Sequence, residues 1–234
     1  MSTSRSTPAI AESAVYPVLS SPRFRFRPFV FSDIEQLSAL ASQHRIADST
    51  VGIPHPYTAE FARMWIASHP VLWEHHRALH WAALEIDDID NRHILGYVGL
   101  SKIDFDRKQA ELRFWVGCGA QRKEYATEWC EAVLQFASAG LDMARVYALQ
   151  IARHPLAGRV LADLGMRPEG YVRKRVRKEG LIEDIVCWGL VRNEREPALR
   201  GNWSAVRGND RQDSPTAAGA GSADQGDRAE LMPS

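Results

Sequence analysis

The 234-residue sequence has few cysteines, no excess of either charge and no long apolar run. Its three cysteines, Cys118, Cys130 and Cys187, are odd in number, widely spaced and without a CxxC pair. That argues against a disulfide framework and for reduced thiols in a cytoplasmic protein. Lys+Arg and Asp+Glu both number 29, so the formal net charge is zero. A chain without an overall basic field is not built as a dedicated nucleic-acid binder. The basic run RKRVRK at 173–178 leaves that reading intact, because cations alternating with valine on an edge strand form a solvated face that blocks edge pairing. No stretch approaches the roughly 20 apolar residues of a membrane-spanning helix. The N-terminal segment has one arginine and no continuous apolar core, so no secretory signal is expected. Metal motifs of the HExxH type are missing too; His75, His76 and His80 cluster near a helix end and read as surface histidines.

What remains is ordinary globular material, 45% hydrophobic and 25% charged, long enough to bury a sizeable core. Residues 1–21 are rich in Ser, Thr, Ala and Pro and read as a flexible arm. From 196 the chain turns into Gly, Ala, Ser and Asp without periodicity, a composition that buries too little surface to offset ordering entropy. A single domain over 22–195 is expected, followed by a disordered tail over 196–234. Nothing in the sequence fixes an oligomeric state.

Within that domain, RFRFRPF (23–29) alternates with a period of two and is a strand. Ser32 followed by Glu35 is a capping-box signature, so a helix is expected from there. After the proline-punctuated loop IPHPYT (53–58), Phe61, Met64, Trp65 and Ser68 fall at helical spacing. HWAALEI (80–86), HILGYVGLSKI (93–103) and AELRFWVG (110–117) read as an antiparallel meander. Next, Ala126, Trp129, Cys130, Val133, Leu134, Phe136 and Ala137 share one stripe of an amphipathic helix. RVYALQI (145–151) is a buried strand, PLAGRVLADLG (155–165) a helix stopped by Gly165, and 171–191 a hairpin turning at Gly180. The five tryptophans at 65, 73, 81, 115 and 129 sit mostly on apolar faces and are assigned to the core. The order β-α-α-β-β-β-α-β-α-β-β implies an α/β fold with a mixed, mostly antiparallel sheet flanked by helices.

In this order the segments SPRFRFRPFVFSD, IPHPYTAEFARMWI, AELRFWVG, QRKEYATEWCEAVLQFA, HPLAGRVLADLGMRPEG and DIVCWGLV resemble the GNAT superfamily of N-acetyltransferases, close to its ribosomal-protein alanine N-terminal acetyltransferase branch. No single segment is specific; their succession over about 22–195 is. The resemblance implies acetyl-CoA as the acetyl donor, no metal, and a cleft where the strands 110–117 and 145–151 splay. Pantetheine would pair with main chain at Trp115, Val116 and Gly117. The pyrophosphate would lie on the loop Gln121, Arg122, Lys123, Glu124, Tyr125 and Ala126, at a helix start whose N–H groups and partial positive charge suit an anion.

That loop lacks a glycine that the family carries. Gln121, Tyr125 and Ala126 fit its pattern, whereas Glu124 stands for the central glycine and brings a Cβ and a negative charge. Arg122 and Lys123 flank it and could pair with phosphate by side chain. The alternative is a solvated helix start with Glu favoured by the dipole. Glu111 matches the family's strand glutamate, which takes a proton from the amine directly or through water; the plainer reading is an exposed carboxylate paired with Arg113. At His154 the family often has Asn, and Leu161 stands where a general-acid tyrosine can sit. His154 then bonds the pantetheine, relays a proton, or simply caps a helix. The loop 48–58 is expected to line the acceptor pocket. Direct acetyl transfer to a primary amine, a protein N-terminus, is the leading expectation. The alternatives are a small-molecule amine acetyltransferase and a degenerate interaction module.

Overall fold

Strand residues alternate between two covered faces, and that alternation decides which side chains reach the site. The computed structural model describes residues 16–120 and 123–192. Its strands are β1 (Leu19–Ser20), β2 (Phe24–Pro28), β3 (Leu79–Glu85), β4 (Gly96–Asp104), β5 (Gln109–Val116), β6 (Arg145–Ile151), β7 (Arg167–Lys178) and β8 (Leu181–Val191). The helices are α1 (Ile34–Ala41), α2 (His44–Ser49), α3 (Ala59–Glu74), α4 (Lys123–Ala139) and α5 (Pro155–Asp163). One eight-stranded sheet runs β1-β2-β3-β4-β5-β6-β8-β7, antiparallel except for β5 beside β6. The mixed α/β architecture is the one expected, with β1 and α2 added.

Phe24, Phe26, Trp81, Val98, Leu100, Ala110 and Leu112 face α4 and α5 in one core. The residues between them, Ala82, Leu84, Tyr97 and Trp115, face α1–α3 in a second. Every residue of the expected α4 stripe is buried. Among the expected core tryptophans, 73, 81, 115 and 129 are buried and Trp65 is half-buried.

Several local expectations are corrected. The Ser32–Glu35 capping box gives way to Asp33, whose carboxylate accepts the Val30 N–H at 2.8 Å and both Arg27 Nη groups at 2.7 and 2.8 Å. On α3 the buried stripe is Ala62, Ile66, His69 and Trp73, while Met64 is exposed. The arm expected over 1–21 becomes packed structure by Tyr16: its hydroxyl donates to the His80 carbonyl at 3.0 Å, and Trp81 Nε1 donates to the Pro17 carbonyl at 2.7 Å. Residues 1–15 and 193–234 lie outside the described residues, and with them the expected tail over 196–234.

Other terminators are where sequence put them. Gly165 (φ +80°) closes α5 in a Schellman turn, with Gly165 N–H on the Ala162 carbonyl and Met166 N–H on that of Leu161, each at 3.0 Å. Glu179 and Gly180, both at positive φ, form the two-residue turn that matches hairpin twist. β7 is an edge strand, exposed along nearly its whole length. Among the described residues no helix is long and apolar enough to cross a membrane.

Candidate active site

β5 and β6 pair through Gln109–Arg145, Ala110–Val146 and Glu111–Tyr147, and no register partner follows among the described residues. From Leu112 onward the strands part, and two cavities open on the gap. A smaller, partly open chamber of about 130 Å³ lies on the α1–α3 side, lined by β3–β6 residues, the loop 49–53 and side chains of α1, α3 and α5. An open cleft of about 680 Å³ lies between the β5 end, α4 and α5. Ser49, Thr50, Phe114, Trp115 and Ala157 line both.

Alternation on β5 sends Glu111 and Arg113 to the chamber side. Glu111 is 1% exposed, so it is not the surface carboxylate of the plainer reading, although its pairing with Arg113 is present. Arg113 Nε donates to Oε1 at 2.8 Å. Lys102 Nζ lies 3.3 Å from Oε2, within ion-pair range but not aligned as a hydrogen bond, which leaves that oxygen free to accept.

Two side chains that sequence reasoning missed complete this wall. His80 is buried, against the expectation of a surface cluster, and its Nδ1 lies 2.9 Å from the Tyr97 hydroxyl. Burial, with His69 and Arg113 nearby, holds its pKa well below the usual histidine value. His69 stacks behind it at 4.5 Å between ring centroids, has both nitrogens unpartnered, and is pushed down to about 3 by desolvation. The signal for His69 was present in the sequence, since it falls on the 62-66-69-73 helical stripe. Burial likewise raises the Tyr97 and Tyr57 hydroxyls above the ordinary phenol value.

The cleft has two helix starts at its edge, α4 with Lys123 and Ala126, and α5 with Pro155, Leu156 and Ala157. A helix start of this kind carries N–H groups without intrahelical partners and a partial positive charge. Of the expected cofactor residues, Trp115, Val116, Lys123, Ala126 and His154 line the cleft. Gly117 does not, and its N–H is already bonded to the Leu95 carbonyl at 2.7 Å. Tyr125 packs its ring on Phe24 at 4.7 Å under the Arg23 guanidinium. The Lys123 ammonium pairs with Asp163. Glu124 is exposed in the first turn of α4. Gln121 and Arg122 lie outside the described residues.

His154 stands at the α5 N-cap without a side-chain cap bond. Its Nε2 is 3.1 Å from Asp48 Oδ2, again close but misaligned for a hydrogen bond. Asp48 itself is gripped by Arg153 at 2.7 and 2.5 Å, which lowers its pKa to about 2. Arg153 also reaches Glu183 at 2.8 Å, and Lys178 donates to the Ile53 carbonyl. These contacts fasten α2 and the loop after it over the chamber. The loop 48–58 supplies Ser49 through Ile53 and Tyr57 to its lining. Leu161, also in that lining, is buried and offers no proton.

Comparison with known proteins adds identity to this geometry. Residues 23–167 match the family described as Acetyltransferase (GNAT) domain. The curated proteins contain no match. Among solved structures, Mycobacterium smegmatis RimJ in complex with CoA-disulfide aligns at TM-score 0.68 and 16% identity, over 77% of this chain and 91% of that one. The ribosomal L7/L12 alpha-N-protein acetyltransferase RimL, in complex with coenzyme A, aligns at 0.66 and 14%, over 75% and 97%. Spermidine N-acetyltransferase from Vibrio cholerae, with CoA and spermine, aligns at 0.63 and 15%, over 73% and 96%. At such identities the structures establish fold, and the family match, covering well over half the sequence, establishes membership: the chain belongs to the GNAT acetyltransferase family.

Proposed function

We propose that the chain transfers acetyl from acetyl-CoA to a primary amine, the α-amine of a protein N-terminus, in the cytoplasm, and that residues 22–195 are the unit that does so. The observation that carries this is the junction of the two cavities where β5 and β6 part, with Glu111 on the acceptor side. Acetyl-CoA lies in the larger cleft. Its pantetheine pairs with the unpartnered edge of β5 at Trp115 and Val116, and its pyrophosphate meets the amides at the start of α4.

The amine enters the chamber as an ammonium and must lose a proton before it attacks. Glu111, buried and retaining an accepting oxygen, takes that proton directly or through one water. The nitrogen then forms a bond to the acetyl carbon, the C–S bond breaks, CoA leaves as a thiolate, and the second proton shed by the nitrogen passes to solvent or to that thiolate. A thiol with an ordinary pKa near 8.5 is a good leaving group close to neutrality, so transfer does not require the acid that Leu161 cannot supply.

A 130 Å³ chamber is close in size to cavities of about 150 Å³ that hold one benzene, so it admits a small terminal residue more readily than a bulky one. A small-molecule amine remains the second reading. The non-catalytic reading rests on Glu124 at the pyrophosphate position. Calorimetric titration with acetyl-CoA, then an acetylation screen over peptides and amines, tests all three: absent binding overturns the enzyme, and turnover of polyamines alone overturns the protein substrate.

A further inference from the structure

Arg113 is only partly occupied. Its Nε donates to Glu111, but its four Nη hydrogens have no acceptor among the described residues, although the guanidinium forms part of the chamber wall. Gly52, at φ +86°, leaves room for it: a Cβ there would stand 3.3 Å from Nη1. A half-buried guanidinium fork with free donors on the chamber wall is complementary to an oxygen, not to an amine.

The neighbouring carboxylate sharpens this. Glu111 Oε1 and Arg113 Nε are 2.8 Å apart, so negative and positive charge stand side by side on one strand face. An α-aminoacyl group carries the opposite pair, an ammonium and a carbonyl oxygen on adjacent carbons, about 3 Å apart from standard bond lengths. A polyamine presents further cations instead, and these would approach Arg113 and Lys102, where like charges repel.

Resting on the acetyl-transfer reading above, we propose that Arg113 is the specificity-determining residue of the acceptor chamber, donating through its Nη groups to the carbonyl oxygen of an α-aminoacyl acceptor while Glu111 holds its amine. The acceptor class is thus an amine with a carbonyl on the adjacent carbon, whether at a chain N-terminus or in a free amino acid.

The test uses the full chain, acetyl-CoA and three acceptors: alanyl-alanine amide, its analogue with the first carbonyl reduced to a methylene, and free alanine. Rates are compared at the pH-independent limit of kcat/KM, because removing the carbonyl raises the amine's pKa. Wild type should favour the amide over the methylene analogue by about tenfold to a hundredfold, the range for a hydrogen bond to a charged group. Arg113→Lys should bring that ratio to within about threefold of one, a selectivity change that merely damaged packing would not produce. Preference for free alanine would assign the oxygen to a carboxylate, preference for the amide to a peptide terminus; either supports the class. Equal wild-type rates for amide and methylene analogue, or an unchanged ratio in Arg113→Lys, overturn the proposal. Should that variant fail to fold, the wild-type pair alone decides. Failure of acetyl-CoA to bind would instead sink the enzymatic reading, so the two failures are separable.

Discussion

The chamber and the cleft, proposed for acceptor and donor, meet at one gap in the sheet, yet they are made of different material. The chamber's polar wall is strand side chains, Glu111, Arg113, His80 and Tyr97, fixed by register and bordered by a tied loop. The cleft is edged by helix starts and the exposed Lys123, and is open to solvent, while Glu124 is exposed in the first turn of α4 beside it in sequence. Charge in the first is desolvated and strong; charge in the second is screened. Chemistry is therefore expected to be sensitive to single atoms in the chamber and forgiving in the cleft.

The largest effect should come from Glu111→Gln. Removing the proton acceptor should lower kcat by about a hundredfold or more, with acetyl-CoA affinity near wild type. Single-turnover kinetics and a donor titration would check it. A parallel loss of acetyl-CoA binding would break the division between chamber and cleft.

Acid should strike the chamber first. His69 has a folded-state pKa near 3 against an ordinary 6.5, so the unfolded chain takes up the proton sooner as pH falls. Its contribution is fully present above about 6.5 and declines toward 3, by up to about 1.4 kcal/mol per pH unit. His80 shifts in the same direction. His69→Leu should flatten this acid limb in denaturant unfolding at pH 7, 5 and 4. A slope parallel to wild type would mean that His69 is not buried as a neutral imidazole.

The roof gives a smaller effect. Asp48→Ala removes the bidentate hold of Arg153 on α2, so acceptor KM should rise by about threefold to fivefold, at the upper end of what exposed ion pairs deliver. Acetyl-CoA affinity should move less, and salt should shrink the difference. An equal rise in both constants would show that the clamp shapes the whole gap.

The same division explains what the sequence could reveal. Period-two alternation and caps marked β5, β6, the α4 stripe and the Gly165 and Gly180 turns, because those signals are local. The family resemblance brought Glu111 forward. Its burial was hidden, since α1 and α3, which line the same chamber, lie far from it in sequence. His80 looked like part of a surface cluster for the same reason: Tyr16 and Tyr97, which enclose it, come from distant segments. Asp33 outcompeted the Ser32–Glu35 signature because Arg27, a strand away, binds its carboxylate. Gly117, an expected pantetheine contact, proved occupied by Leu95 through pairing that no motif encodes.

The smallest effect belongs to the residue that departs most from its family. Glu124 replaces the glycine expected at the pyrophosphate, which would seem disabling by charge alone. It is exposed in the first turn of α4, however, where the helix dipole favours an anion and water screens it. Two unit charges 4 Å apart in water repel by only about 1 kcal/mol. Glu124→Gly should tighten acetyl-CoA binding by about twofold to fourfold at low ionic strength, within the tenfold that 1.4 kcal/mol represents. Raising salt past a Debye length of roughly 8 Å should erase most of the gain. Paired dissociation constants at low and physiological salt measure both effects. A gain beyond tenfold that survives salt would mean that the missing glycine matters through backbone approach, which screening cannot touch. The cleft would then be as atom-sensitive as the chamber.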